Sequence, residues 1–210
     1  MATNQPIQPF PATRYPASLT SRRSLAALFL CAALGKAQPA RVQVIIETTL
    51  GNIEAEIDAQ HAPKTVASFL RYVDAGQYNS GLFHRTVKPD NQPNNAIKID
   101  VIQGRRSEKT PAFPLVPLER TSVTGVRHKD GTLSMARSQN PDSAESDFFI
   151  CIGDQPSLDF GGKRNPDGQG FAAFGRVTRG MDIVRKIQAQ PYDARQQLTP
   201  PITILKLRRR

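Results

Sequence analysis

The sequence predicts a closed antiparallel β-barrel with two α-helices, and two patterns support that fold class. Many short segments have the alternating or β-branched pattern of strands, whereas only two have helical spacing. Two helices are too few to alternate with the strands of a parallel sheet, so the strands must close on themselves. The 210 residues suit a single domain, and 39% hydrophobic with 22% charged residues is an ordinary globular composition.

The strand pattern is clearest near residue 50. Residues 43–47 and 52–58 flank Thr49-Leu50-Gly51 and are predicted to form a hairpin, with Ile53 and Ile57 on one face of the second strand. Further strands are predicted at residues 82–87, 97–103, 132–136, 148–152, 171–177 and 202–207.

Each helix is predicted from apolar spacing and a start signal. Pro63 suits the first position of a helix, where its missing N–H costs little, and Gly76 ends that helix. Four apolar residues then follow i, i+3, i+4, i+7 spacing: Val66, Phe69, Leu70 and Val73. A second helix is predicted over residues 181–188, after Gly180.

Residues 1–37 are predicted to be an export leader, which leaves residues 38–210 as the mature domain. Arg22 and Arg23 precede an apolar run at residues 25–34, and Gly35 and Ala37 suit a cleavage site. A run of ten residues is too short to span a bilayer, which needs about 20. We therefore expect export to the periplasm and no stable membrane span. The arginine pair is typical of a twin-arginine signal, but an ordinary Sec signal fits as well.

The net charge of +10 does not by itself indicate nucleic-acid binding. The leader holds four basic residues and no acid, and Arg208 to Arg210 contribute three more charges at the end of the chain. The remaining basic residues are scattered without interleaved aromatic residues. We expect a solvated basic surface and no nucleic-acid partner, with a basic, anion-binding surface protein as one alternative.

No pattern for a metal, cofactor or disulfide is present in the sequence. His61, His84 and His128 lack the spacing of metal ligands, and a processed chain would keep only Cys151, in an apolar strand. Residues 161–170 contain four glycines but no phosphate-binding motif, so they are predicted to be a surface loop. We expect no cofactor and no metal.

Several motifs, in order along the chain, resemble the cyclophilins, the peptidyl-prolyl cis-trans isomerases. The motifs are Ala62-Pro63-Lys64-Thr65-Val66, Phe83-His84-Arg85, Val101-Ile102-Gln103-Gly104, Leu133-Ser134-Met135-Ala136, Phe148-Phe149-Ile150 and Phe174-Gly175-Arg176-Val177. The resemblance covers about residues 42–208. It implies an eight-stranded antiparallel barrel capped by two α-helices, and substrates that are proline-containing polypeptides.

The resemblance also implies roles for individual residues. Arg85 would be the catalytic hydrogen-bond donor, and Gln103 would position both the arginine and the substrate carbonyl. The apolar pocket for the proline ring would be formed by Phe149, Met135, Leu158 and Val101, with Phe171 at its rim. The backbone of Arg137 would pair with the extended peptide, and we expect the enzyme to be a monomer.

Some positions depart from the family pattern. The connection between Arg85 and Gln103 is longer than usual, Asp100 stands where an aromatic pocket residue is common, and Asp147 replaces a glutamine. Ser157 stands where a large aromatic residue is common. These changes predict a thinner wall of the proline site, and they leave open a non-catalytic peptide-binding or chaperone module on the same fold.

Overall fold

The computed structural model describes residues 40–109 and 111–210. The predicted leader, residues 1–37, and Cys31 within it lie outside the described residues.

The described residues form a closed barrel of eight antiparallel strands in the order β1-β2-β7-β5-β6-β4-β3-β8. The strands are β1 Arg41–Thr48, β2 Gly51–Asp58, β3 Gly81–Val87, β4 Val101–Arg105, β5 Thr132–Met135, β6 Phe148–Cys151, β7 Ala173–Arg179 and β8 Gln197–Arg209. The predicted barrel and its strand number are confirmed. The largest difference in boundaries is β8, which extends well beyond the predicted residues 202–207.

Both predicted helices are confirmed, and one short helix was not predicted. The helices are α1 Pro63–Asp74, α2 Thr121–Thr124 and α3 Met181–Gln188. The single turn of α2 ends at Gly125, whose φ of 72° lies in the left-handed region. A four-residue helix is too short to show apolar periodicity, so the sequence pattern does not reveal it.

The barrel interior is filled by apolar side chains, and α1 packs against it through its predicted face. Val66, Phe69, Leu70 and Val73 are all buried. The ring of Phe69 lies 4.9 Å from that of Phe174 and 5.8 Å from that of Phe148. Burial of these rings, at about 25 cal/mol per Å² of apolar surface, is the main contribution that holds α1 on the barrel.

A second apolar cluster lies on the outer face of β3, β4 and β6. Side chains alternate between the faces of a strand, so Ile102 and Ile150 belong to the interior core while their neighbours Val101 and Phe149 do not. The outer cluster consists of Val87, Ile99, Val101, Phe149, Cys151 and Leu158. Because β6, β4 and β3 are neighbours in the barrel, their outward residues form one continuous surface.

A β-bulge in β3 sets the direction of Arg85. In the pairing of β3 with β4, Phe83 lies opposite Gly104 and Arg85 opposite Gln103, which makes His84 the extra residue; the pairing with β8 is irregular at the same point. Without the shift, Phe83 and Arg85 would share a face, because they are two residues apart. With it, Phe83 is fully buried in the core, while Arg85 lies on the outer face beside Val87.

The three C-terminal arginines are neutralised by carboxylates on the surface. Arg208 pairs with Glu47 at 2.9 Å, Arg209 with Asp74 at 2.6 Å and Arg210 with Glu54 at 3.1 Å. None of the helices within residues 40–109 and 111–210 is long and apolar enough to cross a membrane.

Candidate active site

The outer face of β3, β4 and β6 carries a cavity of about 220 Å³ whose floor is apolar. It brings together seven of the eight predicted site residues: Arg85, Val101, Gln103, Arg137, Phe149, Leu158 and Phe171. Val87, Ile99, Ala136, Arg164 and Asn165 also line it. A small apolar floor with a few convergent polar groups is the usual form of a binding site.

Arg85 is held at the cavity by two glutamines. Its Nε and Nη2 atoms donate to Oε1 of Gln196 at 3.1 and 2.5 Å, and its Nη1 donates to Oε1 of Gln103 at 3.4 Å. Burial lowers the pKa of Arg85 from its ordinary value, but a guanidinium stays charged at neutral pH. Three of its five N–H groups are used in these bonds, so two remain for a ligand in the cavity.

Gln196 is a positioning residue that sequence reasoning missed. It follows Arg85 by 111 residues, and its own Nε2 donates to the carbonyl of Asn91 at 2.8 Å. No motif in the sequence connects these positions. Only closure of the barrel, which pairs β3 with β8, brings them together.

Gln103 connects Arg85 to Asp147. Its Nε2 lies 3.5 Å from Oδ2 of Asp147, while its Oε1 accepts from Arg85. Burial raises the pKa of the Asp147 carboxyl above its ordinary value. The amide of Gln103 is therefore oriented from both ends, with its oxygen toward the arginine.

The prediction that Met135 lines the pocket is wrong. Met135 is 1% exposed, belongs to the interior core and pairs with Phe148 across the β5–β6 ladder. Leu133 and Met135 share a face because they are two residues apart, and that face is the interior. The next residue, Ala136, lines the cavity instead.

The predicted thinner wall at Asp100 is also not observed. The side chain of Asp100 accepts a hydrogen bond from Gln188 and does not line the cavity, whereas Ile99 does. Gln92 holds Ile99 in place, because its buried amide donates to the carbonyls of Lys88 and Ile99 at 2.7 Å each. The long connection from β3 to β4 thus supplies an apolar residue of its own.

Phe149 is stacked on a buried hydrogen-bonded chain of three residues. The His128 ring lies 6.0 Å from the Phe149 ring at an angle of 15°, and it bonds Asp159 Oδ1 at 2.8 Å and Ser134 Oγ at 2.9 Å. This order is that of a hydrolytic triad, but Ser134 has no exposed surface and a substrate cannot reach it. The chain therefore serves to fix Phe149 from behind.

Arg137 contributes through its side chain, rather than only through the backbone as the resemblance implied. The side chain is 1% exposed, pairs with both oxygens of Asp167 at 2.9 Å and donates to the Gly170 carbonyl at 2.8 Å. Its guanidinium also lies 5.2 Å from the centre of the Phe171 ring. Arg137 thereby holds residues 167–171 against the site.

The glycine-rich loop carries a residue into the cavity that the sequence did not single out. Arg164 lies in this loop, and its Nη1 donates to the carbonyl of Ile97 at 2.7 Å. Ser157 is not among the residues that line the cavity, but its carbonyl accepts from the Arg164 backbone N–H at 3.1 Å. The Phe171 ring meets Phe149 edge-on at 5.4 Å and lines the cavity.

Metal or thiol chemistry has no candidate at this site. Among the residues that the structure describes, no group of three His, Cys, Asp or Glu side chains could hold a metal ion. Cys151 has no exposed surface, and burial raises the pKa of its thiol.

The chain is similar in sequence and in fold to proteins of one family. The family model described as "Cyclophilin type peptidyl-prolyl cis-trans isomerase/CLD" matches residues 43–209. Peptidyl-prolyl cis-trans isomerase A of Dickeya dadantii is 34% identical over 172 residues, which cover 80% of this chain and 84% of the relative. Peptidyl-prolyl cis-trans isomerase B of Escherichia coli is 33% identical over 145 residues, covering 69% and 83%.

A solved cyclophilin-type isomerase of Cryptosporidium parvum superposes with a TM-score of 0.63 at 21% identity, covering 81% of this chain and 98% of its own. A second structure of that protein, in the presence of the dipeptide Ala-Pro, gives a TM-score of 0.62. These structures share the fold, and the family match and the curated relatives carry the activity. This chain belongs to the family of cyclophilin-type peptidyl-prolyl cis-trans isomerases.

Proposed function

We propose that Arg85 is the catalytic residue, and that it acts by donating a hydrogen bond to the prolyl nitrogen of the bound peptide. Rotation about a peptide bond costs about 18–20 kcal/mol because the nitrogen lone pair is conjugated with the carbonyl. In the twisted state the lone pair is localised and can accept a hydrogen bond. A fixed cation that donates to it stabilises the transition state more than the planar ground state.

The observation that carries this proposal is the set of partners of Arg85. Its guanidinium is aimed by Gln196 and Gln103, both neutral, and it forms no ion pair with the other described residues. A carboxylate partner would reduce the charge available to a substrate, whereas neutral acceptors orient the group and leave its charge intact. Isomerisation by such a donor needs no nucleophile and no cofactor.

The substrate is proposed to be a proline-containing polypeptide whose proline ring lies on the apolar floor. Phe149, Val101 and Leu158 provide a rigid surface, since Phe149 is fixed by His128 behind it and by Phe171 beside it. Gln103, held between Arg85 and Asp147, would orient the carbonyl that precedes the proline.

A protease-coupled isomerisation assay on residues 38–210 tests the activity together with the pocket. The domain should accelerate X-Pro isomerisation, and Phe149→Ala should raise KM several-fold because the proline ring loses a wall. Ile183→Ala is the control for a general loss of packing, because Ile183 lies in α3, packs against the interior core and does not line the cavity. Absence of acceleration by a folded domain would favour the non-catalytic peptide-binding alternative.

We also propose that the protein is exported to the periplasm and works there as a monomer. This proposal is supported by the leader pattern of residues 1–37, with Arg22 and Arg23 before an apolar run. N-terminal sequencing of the protein from its host should start near Gln38, and gel filtration should give the mass of one chain. A cytosolic product that starts at Met1 would contradict the export proposal.

A further inference from the structure

The candidate site contains an excess of positive charge that isomerisation alone does not require. Arg85, Arg137 and Arg164 all line the cavity, and no Asp or Glu is among the described residues that line it. Proline itself is uncharged, so a catalytic role accounts for Arg85 only. The other two arginines need separate explanations.

Arg137 is explained by the loop that it holds. It pairs through both carboxylate oxygens with Asp167, which compensates its charge, and its buried side chain fixes the backbone at Gly170. The same loop carries Arg164. Arg137 therefore contributes to the position of Arg164 more than to the charge of the cavity.

Arg164 has no such compensation. Its side chain donates to the neutral carbonyl of Ile97, and no ion pair connects it to a carboxylate in the described part of the chain. Burial, together with the neighbouring charge of Arg85, lowers the pKa of Arg164 from its ordinary value. Two guanidiniums thus face one cavity, and both have only neutral partners.

Of the acidic residues near the site, Asp167 lies in the glycine-rich loop but pairs with Arg137, whereas Glu145 and Asp147 lie on the other side of Gln103. Glu145 and Asp147 line an adjoining cleft together with Gln103 and Ser138, where Glu145 also pairs with Arg106 at 3.5 Å. Because Arg137 already compensates Asp167, the charge distribution is asymmetric: Glu145 and Asp147 lie beyond Gln103, and Arg164 lies on the cavity side. A bound peptide would meet a positive potential at the end formed by the glycine-rich loop.

We propose that Arg164 makes the site selective for peptides that carry a carboxylate side chain directly next to the proline. This inference rests on the proposed function, because it assumes that the substrate proline occupies the cavity. A carboxylate between Arg164 and Arg85 would relieve the repulsion between the two cations and accept from their free N–H groups. Glutamate and glutamine have nearly the same shape, so selectivity between them reports charge alone.

The test compares Glu with Gln on either side of the proline in four short peptides. The pairs are Ala-Glu-Pro-Phe with Ala-Gln-Pro-Phe, and Ala-Ala-Pro-Glu with Ala-Ala-Pro-Gln. NMR exchange spectroscopy gives the isomerisation rates without a coupling protease. At one of the two positions, kcat/KM should be about fivefold higher for Glu, the size expected of a partly exposed ion pair. The preference should shrink between about 0.05 M and about 0.5 M salt.

Variants assign the preference to Arg164. Arg164→Gln should bring the Glu to Gln ratio close to one, while Arg164→Lys, which keeps the charge, should retain part of it. Arg179→Gln is the matched control, because that side chain is 80% exposed, is 3.7 Å from Glu54 and does not line the cavity. Thermal unfolding of each variant shows whether it is folded. If Arg164→Gln is unfolded, Arg164→Lys carries the test through its reduced Glu to Gln ratio.

Equal rates for Glu and Gln at both positions in the wild type would overturn the inference, and so would a preference that Arg164→Gln retains. Absence of isomerisation with all four peptides would instead contradict the proposed function. In that case calorimetric dissociation constants for the same pairs would still decide the selectivity, since a non-catalytic site with this charge should bind the Glu peptide more tightly.

Discussion

His84 is the extra residue of the β3 bulge, and its ring lies where a positive charge is unfavourable. Its Nδ1 is buried without a hydrogen-bond partner in the described structure. Burial, followed by the charges of Arg105 and Arg85, lowers the pKa of His84 to about 4. His84 is not among the residues that line the cavity.

The low pKa of His84 predicts a pH-dependent contribution to stability. At pH values below the ordinary pKa of 6.5, the unfolded chain binds a proton that the folded chain does not bind. The free energy of unfolding should therefore fall as the pH decreases from 6.5 to about 4, and His84 should add no further slope below that.

Urea denaturation of the wild type and of His84→Phe across this pH range measures the effect. Both proteins share every other titrating group, so the difference between their curves isolates His84. That difference should change steadily with pH in the direction of a relative loss of wild-type stability in acid. A difference that is constant from pH 7 to 4 would contradict the assigned pKa.

At the scale of single residues, the sequence predicted the site well wherever a strand sets the direction of a side chain. Val101, Gln103 and Phe149 followed directly from the motifs. Met135 was misplaced. The two-residue period of a strand puts it on the same face as Leu133, which is plainly a core residue, so the sequence pattern already places Met135 in the interior. Ile99 was not predictable because loop conformation positions it, and Gln196 was not predictable because it meets Arg85 only through the pairing of β3 with β8.

At the scale of elements, the glycine-rich loop before β7 forms one wall of the site. Gly170 has a φ of +69°, and an added Cβ would lie 2.6 Å from the carbonyl carbon of Asp159. Gly168 has a similar φ of +63°, but an added Cβ would meet nothing within 4 Å. Both glycines therefore require a left-handed backbone conformation, and they differ only in whether an added Cβ would clash with a neighbouring segment.

This pair of glycines gives a matched test of how the loop is packed. Gly168→Ala should lower the free energy of unfolding by about 1 kcal/mol, because the left-handed conformation is unfavourable for alanine. Gly170→Ala should cost at least about 2 kcal/mol more, because the backbone at Asp159 must also move. It should raise KM as well, since Phe171 follows directly and closes the cavity rim.

Urea denaturation gives both stability changes, and the isomerisation assay gives KM. Equal losses in the free energy of unfolding for the two variants would show that the loop is not in close contact with residues 158–159. The sequence predicted a surface loop here from its glycine content. It could not show that the loop folds back on the site, because the contacts involved are with residues of other segments, such as Arg137 and Ile97.

At the scale of the whole molecule, barrel closure is what assembles the site. The motifs near residues 85, 103, 136 and 149 lie on β3, β4 and β6 or directly after β5, and these strands are adjacent in the barrel. Alternating strands and two amphipathic helices were enough to predict the barrel class. The packing of the loops at residues 88–100 and 161–170 was not predictable from local patterns, because it depends on buried side chains such as Gln92 and Arg137.

Arg85→Lys is the most direct test of whether Arg85 acts by aimed hydrogen bonding. Lysine keeps the charge but loses the planar set of donors that Gln196 and Gln103 orient. If Arg85 acts in this way, Arg85→Lys and Arg85→Ala should both lower kcat/KM at least about tenfold, or about 1.4 kcal/mol, with an unchanged thermal transition. A lysine variant that is folded and retains full activity would contradict the proposed catalytic role of Arg85.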